Sequence, residues 1–223
     1  MHSQDALELG TVSSIWRYPV KSLRGEPLEN VPVDERGLDG DRRRELVLAT
    51  PDLARSGKSY RGKEDNRLHL LRKTADAEAA AEQRGMQLET RDGGPFFDAA
   101  PISIIAAGWL REFERLAEAS LDPRRFRPNF FLASSDDIPA EGALVGATIA
   151  LGSSLLLVKA PIVRCVTITY DVDTGVSNPE LLRILAQRRD TVMGIYCTIL
   201  RAGTIEVGAR ATVCAFPPAL STT

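Results

Sequence analysis

The sequence predicts an α+β chain that is mainly β, with an antiparallel, barrel-like core and two or three peripheral helices. Three observations carry this. Short runs rich in Val, Ile and Thr, several alternating apolar with polar, recur from one end of the chain to the other. Only a few stretches have helical spacing. Long helical crossovers, which a parallel sheet requires, are scarce.

The elements follow in order. Leu7 to Tyr18 reads as a strand, with Leu7, Leu9, Val12 and Ile15 on an imperfect period of two. Tyr18 to Gly25 is a loop broken by Pro19 and Gly25. Leu28 to Val33 is a short strand, Asp34 to Asp41 a tight loop with Gly37 and Gly40, and Arg44 to Ala49 another strand. Pro51 to Asn66 is polar and glycine-bearing, a loop. Thr74 to Arg84 is rich in helix formers, with Thr74 as N-cap and Gly85 as stop. Met86 to Thr90 and Pro101 to Ile105 read as strands. Ala106 to Glu118 carries Trp109, Leu110, Phe113 and Leu116 on one helical face. Arg124 to Leu132 passes from basic loop to apolar strand. Gly146 to Lys159 gives two strands joined at Gly152. Cys165 to Tyr170 alternates and is β-branched, so it reads as a strand, closed by a turn over Asp171 to Gly175. Pro179 to Arg188 is a helix capped by Asn178. Met193 to Leu200 and Gly203 to Cys214 are the last strands, the latter alternating through Ile205, Val207, Ala209, Ala211 and Val213.

Composition excludes several classes. At 223 residues the chain can bury a sizeable core. Apolar residues at 43% and charged residues at 26% are those of a soluble globular protein. A net charge of −2 argues against general binding to nucleic acid or an anionic membrane. The N-terminus lacks the apolar core of a signal peptide, and no apolar run is long enough to span a bilayer. Cysteines at 165, 197 and 214 form no CxxC pair, which suggests reduced thiols in a cytoplasmic protein. The only histidines are His2 and His69, so a histidine zinc site or a Ser-His-Asp triad has almost nothing to use. Gly57-Lys-Ser59 fails as a P-loop because Asp52 stands where the first glycine must be. Asp171-Val-Asp-Thr-Gly175 fails as a calcium loop because its twelfth position is Leu182. There is no GxSxG elbow.

What remains is one cysteine and three basic loops. Arg164 adjoins Cys165, and a guanidinium beside a thiol favours the reactive, metal-binding thiolate. The loops hold Lys21, Ser22 and Arg24; Arg42, Arg43 and Arg44; and Arg124, Arg125, Arg127 and Asn129. Together they could form one anion pocket in which arginines and a lysine grip phosphate, with a soft thiolate suited to a transition metal.

The stretches Tyr18-Pro-Val-Lys-Ser22, Gly37-Leu-Asp-Gly-Asp-Arg-Arg43, Ala100-Pro-Ile-Ser-Ile104, Arg125-Phe-Arg-Pro-Asn129, Arg164-Cys165, Asp171-Val-Asp-Thr-Gly175 and Gly203-Thr-Ile-Glu-Val-Gly208 resemble, in order, those of the MOSC family, named for the C-terminal domain of molybdenum cofactor sulfurase. They span roughly Leu9 to Val213, and the chain looks closest to the branch with the amidoxime-reducing components and their bacterial relatives. The resemblance implies an antiparallel MOSC-type β-barrel with a few peripheral helices and a short inserted α/β segment. It divides the chain into residues 1–99, an N-terminal barrel-like region in which strands within 7–49 help complete the barrel and 50–99 form the insert; residues 100–215, the MOSC domain; and a tail, 216–223. It implies a molybdenum–pterin cofactor, with Cys165 as metal ligand and catalytic residue. Lys21, Ser22, Arg42, Arg127, Asn129 and Arg164 would hold the pterin and its phosphate.

Three departures stand out. Arg44 replaces the aromatic expected after Arg43, the insert is short, and no ferredoxin-type cysteine cluster follows Val213. Electrons would then come from a separate partner protein. The implied function is reduction of N-hydroxylated small molecules such as amidoximes and hydroxylamines. The alternative is a non-redox protein that binds the cofactor or carries sulfur as a Cys165 persulfide. Neither reading involves nucleic acid or a membrane.

Overall fold

Strand β1 (Leu7–Arg17) is the longest, and its bends set the rest of the sheet. Its ladder slips between Glu8 and Gly10, and again between Val12 and Ser14. Each bulge inserts one residue and resets the alternation. That accounts for the imperfect period: Leu9, Val12 and Ile15 are three apart, yet all face the core. Gly10 sits in the first bulge at φ 138, where a Cβ would lie 2.2 Å from the Ala133 carbonyl oxygen.

The computed structural model describes residues 7–49 and 73–216. After β1 come β2 (Glu26–Leu28), β3 (Asn30–Asp34), β4 (Gly37–Leu38), β5 (Arg44–Leu48), α1 (Thr74–Glu82), β6 (Leu88–Asp92), β7 (Ile102–Ala106), α2 (Ala107–Ala117) and β8 (Phe130–Ala133). Then follow β9 (Thr148–Leu151), β10 (Ser154–Val163), α3 (Glu180–Arg189), β11 (Val192–Arg201), β12 (Gly203–Glu206) and β13 (Arg210–Ala215). Seven strands close a ring in the order β1–β13–β9–β10–β11–β7–β8 and back to β1. All the pairs are antiparallel except β7 with β8. Of the strands before β7, only β1 joins this ring. β2 pairs with β1 outside the ring, β3 pairs with both β12 and β4, and β5 pairs with β6. The fold is thus a mainly β, closed barrel with three α-helices among the described residues.

The core fills the ring. Ile102, Ile104, Ile105, Phe113, Phe126 and Phe130 are all buried, and Phe113 meets Phe126 edge-on, centroids 6.1 Å apart. α2 buries Trp109, Leu110 and Phe113; α3 buries Leu181 and Leu185. Burying one such side chain contributes roughly 1.5–3 kcal/mol. No helix of the described residues is long and apolar enough to cross a membrane.

Four expectations are corrected here. Cys165–Tyr170 is not a strand; Val166–Thr169 forms a 3₁₀ turn with Cys165 just before it. The β10–β11 ladder ends at Val163 opposite Val192. Beyond it no neighbouring strand offers partners, so Ile168 N–H turns back to the Cys165 carbonyl. A β-prone sequence without a ladder does not make a strand. The stretch from Leu28 to Val33 is split, since β2 pairs with β1 and β3 with β12. Gly203–Cys214 is split likewise, by a turn at Gly208 with φ 91, so that β12 pairs with β3 and β13 rejoins the barrel. Helix α1 has Lys73 rather than Thr74 before its first residue. The expected loop Pro51 to Asn66, and His69, lie outside the described residues.

Candidate functional site

The strand ends decide which loops meet. At the end of the barrel where β1 and β10 finish and β8 begins, a cavity of about 150 Å³ opens to solvent. The loop after β1 delivers Lys21 and Ser22, and the turn before β5 delivers Arg42. The 3₁₀ turn Pro123–Phe126, with Arg127 after it, delivers Arg125 and Arg127; the end of β10 delivers Arg164 and Cys165. Of the seven residues singled out in the sequence, six line this one cavity: Lys21, Ser22, Arg42, Arg127, Arg164 and Cys165.

Asn129 does not line it. It is buried behind the wall, where its Oδ1 accepts from the Ser103 N–H at 3.1 Å and hydroxyl at 2.8 Å, and its Nδ2 donates to the Trp16 carbonyl at 3.2 Å. It thereby fastens β1 to β7 under the site. The cavity also takes Phe96, Asp98, Ser103, Arg125, Thr167 and Tyr196, which the sequence reading left out of the site. Arg125 stood in the same basic loop, but sequence could not tell its role from that of Arg127. The others carried no local signal.

Backbone strain concentrates here. Six described non-glycine residues have positive φ. Glu118, Asp190 and Thr191 end helices α2 and α3. The other three, Ser22 at 68°, Arg42 at 47° and Arg127 at 52°, all line the cavity. Such conformations cost on the order of 1 kcal/mol each and persist where surrounding structure imposes them.

The cavity is strongly positive: Lys21, Arg42, Arg125, Arg127 and Arg164 line it against the single carboxylate Asp98. Lys21 pairs with Asp98 at 2.9 Å. Burial works against the charge of Arg42, but Asp41 beside it and the Tyr18 phenol outweigh this and hold it above its ordinary range. Arg127 and Arg164 have no ion pair among the described residues, and burial pulls both down to about 10. Arg127 lies 4.1 Å over the Tyr18 ring and donates one N–H to the Leu23 carbonyl at 2.7 Å. Its Nη2, like the Nε of Arg125, is buried and has no hydrogen-bond partner. A buried, unsatisfied cationic donor is costly, and an anion in the cavity would satisfy it.

Arg164 does not bond the thiol it adjoins. Its Nε and Nη2 donate to the Met193 carbonyl at 2.8 and 2.5 Å, and its Nη1 to that of Phe126 at 2.7 Å. These bonds hold the chain just before Cys165. Gly194 makes room: at φ 88, a Cβ would meet the Ile104 carbonyl at 2.6 Å and Arg164 Nη2 at 3.3 Å. Cys165 is exposed, its sulfur 3.3 Å from the Thr167 hydroxyl. Cys197 is buried, and burial pushes its thiol up, well away from reactivity. Among the described residues no group of three His, Cys, Asp or Glu could chelate a metal. A metal at Cys165 must therefore arrive with other ligands.

The family model of the MOSC N-terminal β-barrel domain matches residues 9–99, and that of the MOSC domain matches residues 90–212. Among solved structures, the YuaD protein of Bacillus subtilis is 17% identical, with 94% of this chain and 97% of that one covered at a TM-score of 0.57. A crystal structure of a hypothetical protein is 13% identical, with 95% of this chain and 70% of that one covered at a TM-score of 0.50. These likenesses establish the shared fold. No curated protein matches the sequence. The two models together cover all but the ends of the chain, and the chain belongs to the MOSC domain family.

Proposed function

We propose that the chain binds a molybdenum–pterin cofactor in this cavity and reduces N-hydroxylated small molecules with electrons from a separate partner protein, as the resemblance to the amidoxime-reducing branch implies. MOSC domains are associated with this cofactor in general. The observation that carries the reading is Arg127, a buried cation whose Nη2 lacks a partner inside a cavity that also presents an exposed thiol.

The residues present fit the group. Arg127 and Lys21 would take the terminal phosphate, with Lys21 exchanging the exposed Asp98 carboxylate for it. Ser22 and Arg42 would line the pterin's path. Asn129 would act from behind, fixing Ser103 and Arg42 in place. Cys165 would be the one protein ligand to the metal, with the pterin bringing the others. When bound, the cofactor would supply two-electron chemistry that removes the oxygen of an N-hydroxyl group, taking up two protons and releasing the amine and water. The exposed Val163 beside Cys165 gives an apolar rim for the substrate's body. Three free thiols support a reducing, cytoplasmic setting.

The second reading, sulfur carriage on Cys165, draws on the exposure of that thiol. One experiment separates them. The protein is made in a host with an active cofactor pathway, analysed for molybdenum and pterin, and assayed for hydroxylamine reduction with an artificial donor. Cofactor in stoichiometric amount, with turnover lost in Cys165→Ser while pterin is retained, supports the reductase. Absence of metal together with transferable sulfane sulfur on Cys165 replaces it with the carrier.

A further inference from the structure

Cys165 lies outside every strand ladder, so something else must fix it. The 3₁₀ turn that follows it is weakly held by its own backbone: Ile168 N–H to the Cys165 carbonyl and Tyr170 N–H to the Thr167 carbonyl are both 3.3 Å, long for such bonds. Several of the external contacts come from one element. Before Cys165, Arg164 donates to the carbonyl of Phe126. After it, Arg125 Nη1 donates to the carbonyls of Ile168 at 3.1 Å and Tyr170 at 2.7 Å, and Arg125 Nη2 reaches Asp171 at 3.3 Å. Arg124 extends the grip to Asp173 at 2.9 Å. Arg124, Arg125 and Phe126 all belong to the 3₁₀ turn Pro123–Phe126. This one short element thus contacts the segment on both sides of the thiol, beside the Arg164 bonds to Met193 and the Asn178 N–H to the Thr169 carbonyl at 2.7 Å.

We propose that Arg125 is the positioning residue for Cys165. Its side chain is only 8% exposed, although it is a cation. Its donors point at backbone carbonyls that the turn cannot satisfy itself, and this planar fork is geometry that lysine cannot reproduce. Arg125 and Arg127, two residues apart, therefore divide the work. Each keeps one buried nitrogen without a partner, Nη2 of Arg127 and Nε of Arg125, but only Arg125 bonds the chain that follows the sulfur. Arg125 also borders the cavity, but its bonded nitrogens face the turn. The functional meaning rests on Cys165 being the working thiol; the structural clamp does not.

The test uses the full chain and needs no cofactor. Arg125→Gln and Arg125→Lys are followed by amide hydrogen exchange and by iodoacetamide alkylation, with the exposed Cys214 as internal reference. In both variants the amides of Val166 to Asp171 should exchange about tenfold faster while those of β10 and β11 keep their protection. The ratio of Cys165 to Cys214 alkylation rates should change by about threefold or more, with lysine no better than glutamine. Asp171→Asn, at a 39% exposed partner, should give a smaller change of the same sign and serves if the Arg125 variants do not fold. Wild-type exchange and an unchanged alkylation ratio in any folded Arg125 variant, or in Asp171→Asn if none folds, overturns the clamp. Faster exchange with undiminished hydroxylamine reduction in the loaded Arg125→Gln protein leaves the clamp standing and overturns its role in positioning Cys165 for turnover.

Discussion

Arg127→Met tests the anion site at its most exposed premise, that the site holds an uncompensated charge. Methionine keeps much of the length of the side chain and removes the cation. At neutral pH the Arg127 charge is present in both folded and unfolded chains, and the folded one disfavours it. Burial pulls the group down from its ordinary range to about 10, which corresponds to about 3 kcal/mol. Deleting the charge recovers that amount. Against it stand the hydrogen bond to the Leu23 carbonyl at 2.7 Å, worth about 1–2 kcal/mol, and the contact with the Tyr18 ring at 4.1 Å, worth about 1–2 kcal/mol in a dry setting. The contributions nearly cancel, so the ligand-free variant should unfold within about 1 kcal/mol of wild type. Anion binding has no such cancellation. A charge-assisted contact of about 2–3 kcal/mol is lost, which weakens affinity roughly 30- to 150-fold. The assay is urea unfolding followed by tryptophan fluorescence, with inorganic phosphate raised against chloride at matched ionic strength. Phosphate should raise the wild-type midpoint in proportion to the logarithm of its concentration and leave the variant nearly still. Loss of more than about 4 kcal/mol without ligand would show that the fold already satisfies the charge. Equal phosphate stabilisation in both proteins would show that Arg127 does not grip the anion.

Three further outcomes are expected. Gly194→Ala forces a Cβ to 2.6 Å from the Ile104 carbonyl at φ 88, so it should lower stability by about 2 kcal/mol or more; a urea midpoint near wild type would contradict the packing around Arg164. Burial raises Tyr18 from 10.0 to about 12. Stability present below pH 10 should therefore drain away, by about 3 kcal/mol, as pH climbs towards 12 and only the unfolded chain ionises; the difference between wild type and Tyr18→Phe in unfolding at stepped alkaline pH reads it, and parallel curves would refute it. Cys197→Ala should cost on the order of 1 kcal/mol for its small cavity and leave molybdenum content unchanged, as should Cys214→Ala at its exposed position; metal lost from either folded protein would move the ligand assignment away from Cys165.

What could be read in advance follows a physical divide. Ile205, Ala211 and Val213 announced their buried faces because a strand packed on a core has one wet side, although the turn at Gly208 was hidden within the same alternation. The bulges of β1 blurred its period by adding residues that no pattern marks. Cys165 to Tyr170 looked like a strand because β-branched residues carry that preference anywhere, and only the missing partner strand forbids it. Lys21, Arg42, Arg127 and Cys165 were legible as a set through family stretches, and the fold brought them to one cavity. Asn129 was legible as a site residue too, but its side chain faces Ser103 and Trp16 rather than the cavity. The difference between Arg125 and Arg127 depends on where each guanidinium points, and two arginines two residues apart give no hint of that. Phe96 and Asp98 reach the site from a loop with no telling composition.

The barrel is sealed by its first and last strands, Leu7 opposite Val213 and Thr11 opposite Arg210. During synthesis the N-terminal strand therefore waits for nearly the whole chain to emerge before its partner exists. Lys21 and Ser22 hang from the waiting strand's end, whereas Cys165 belongs to the later half. No nascent fragment lacking β13 has a closed barrel, so the cavity is completed only once that strand has emerged. Until then the edge of β1 is an open template for other strands. A chain truncated before Arg210 should aggregate rather than fold into a smaller version of the same protein.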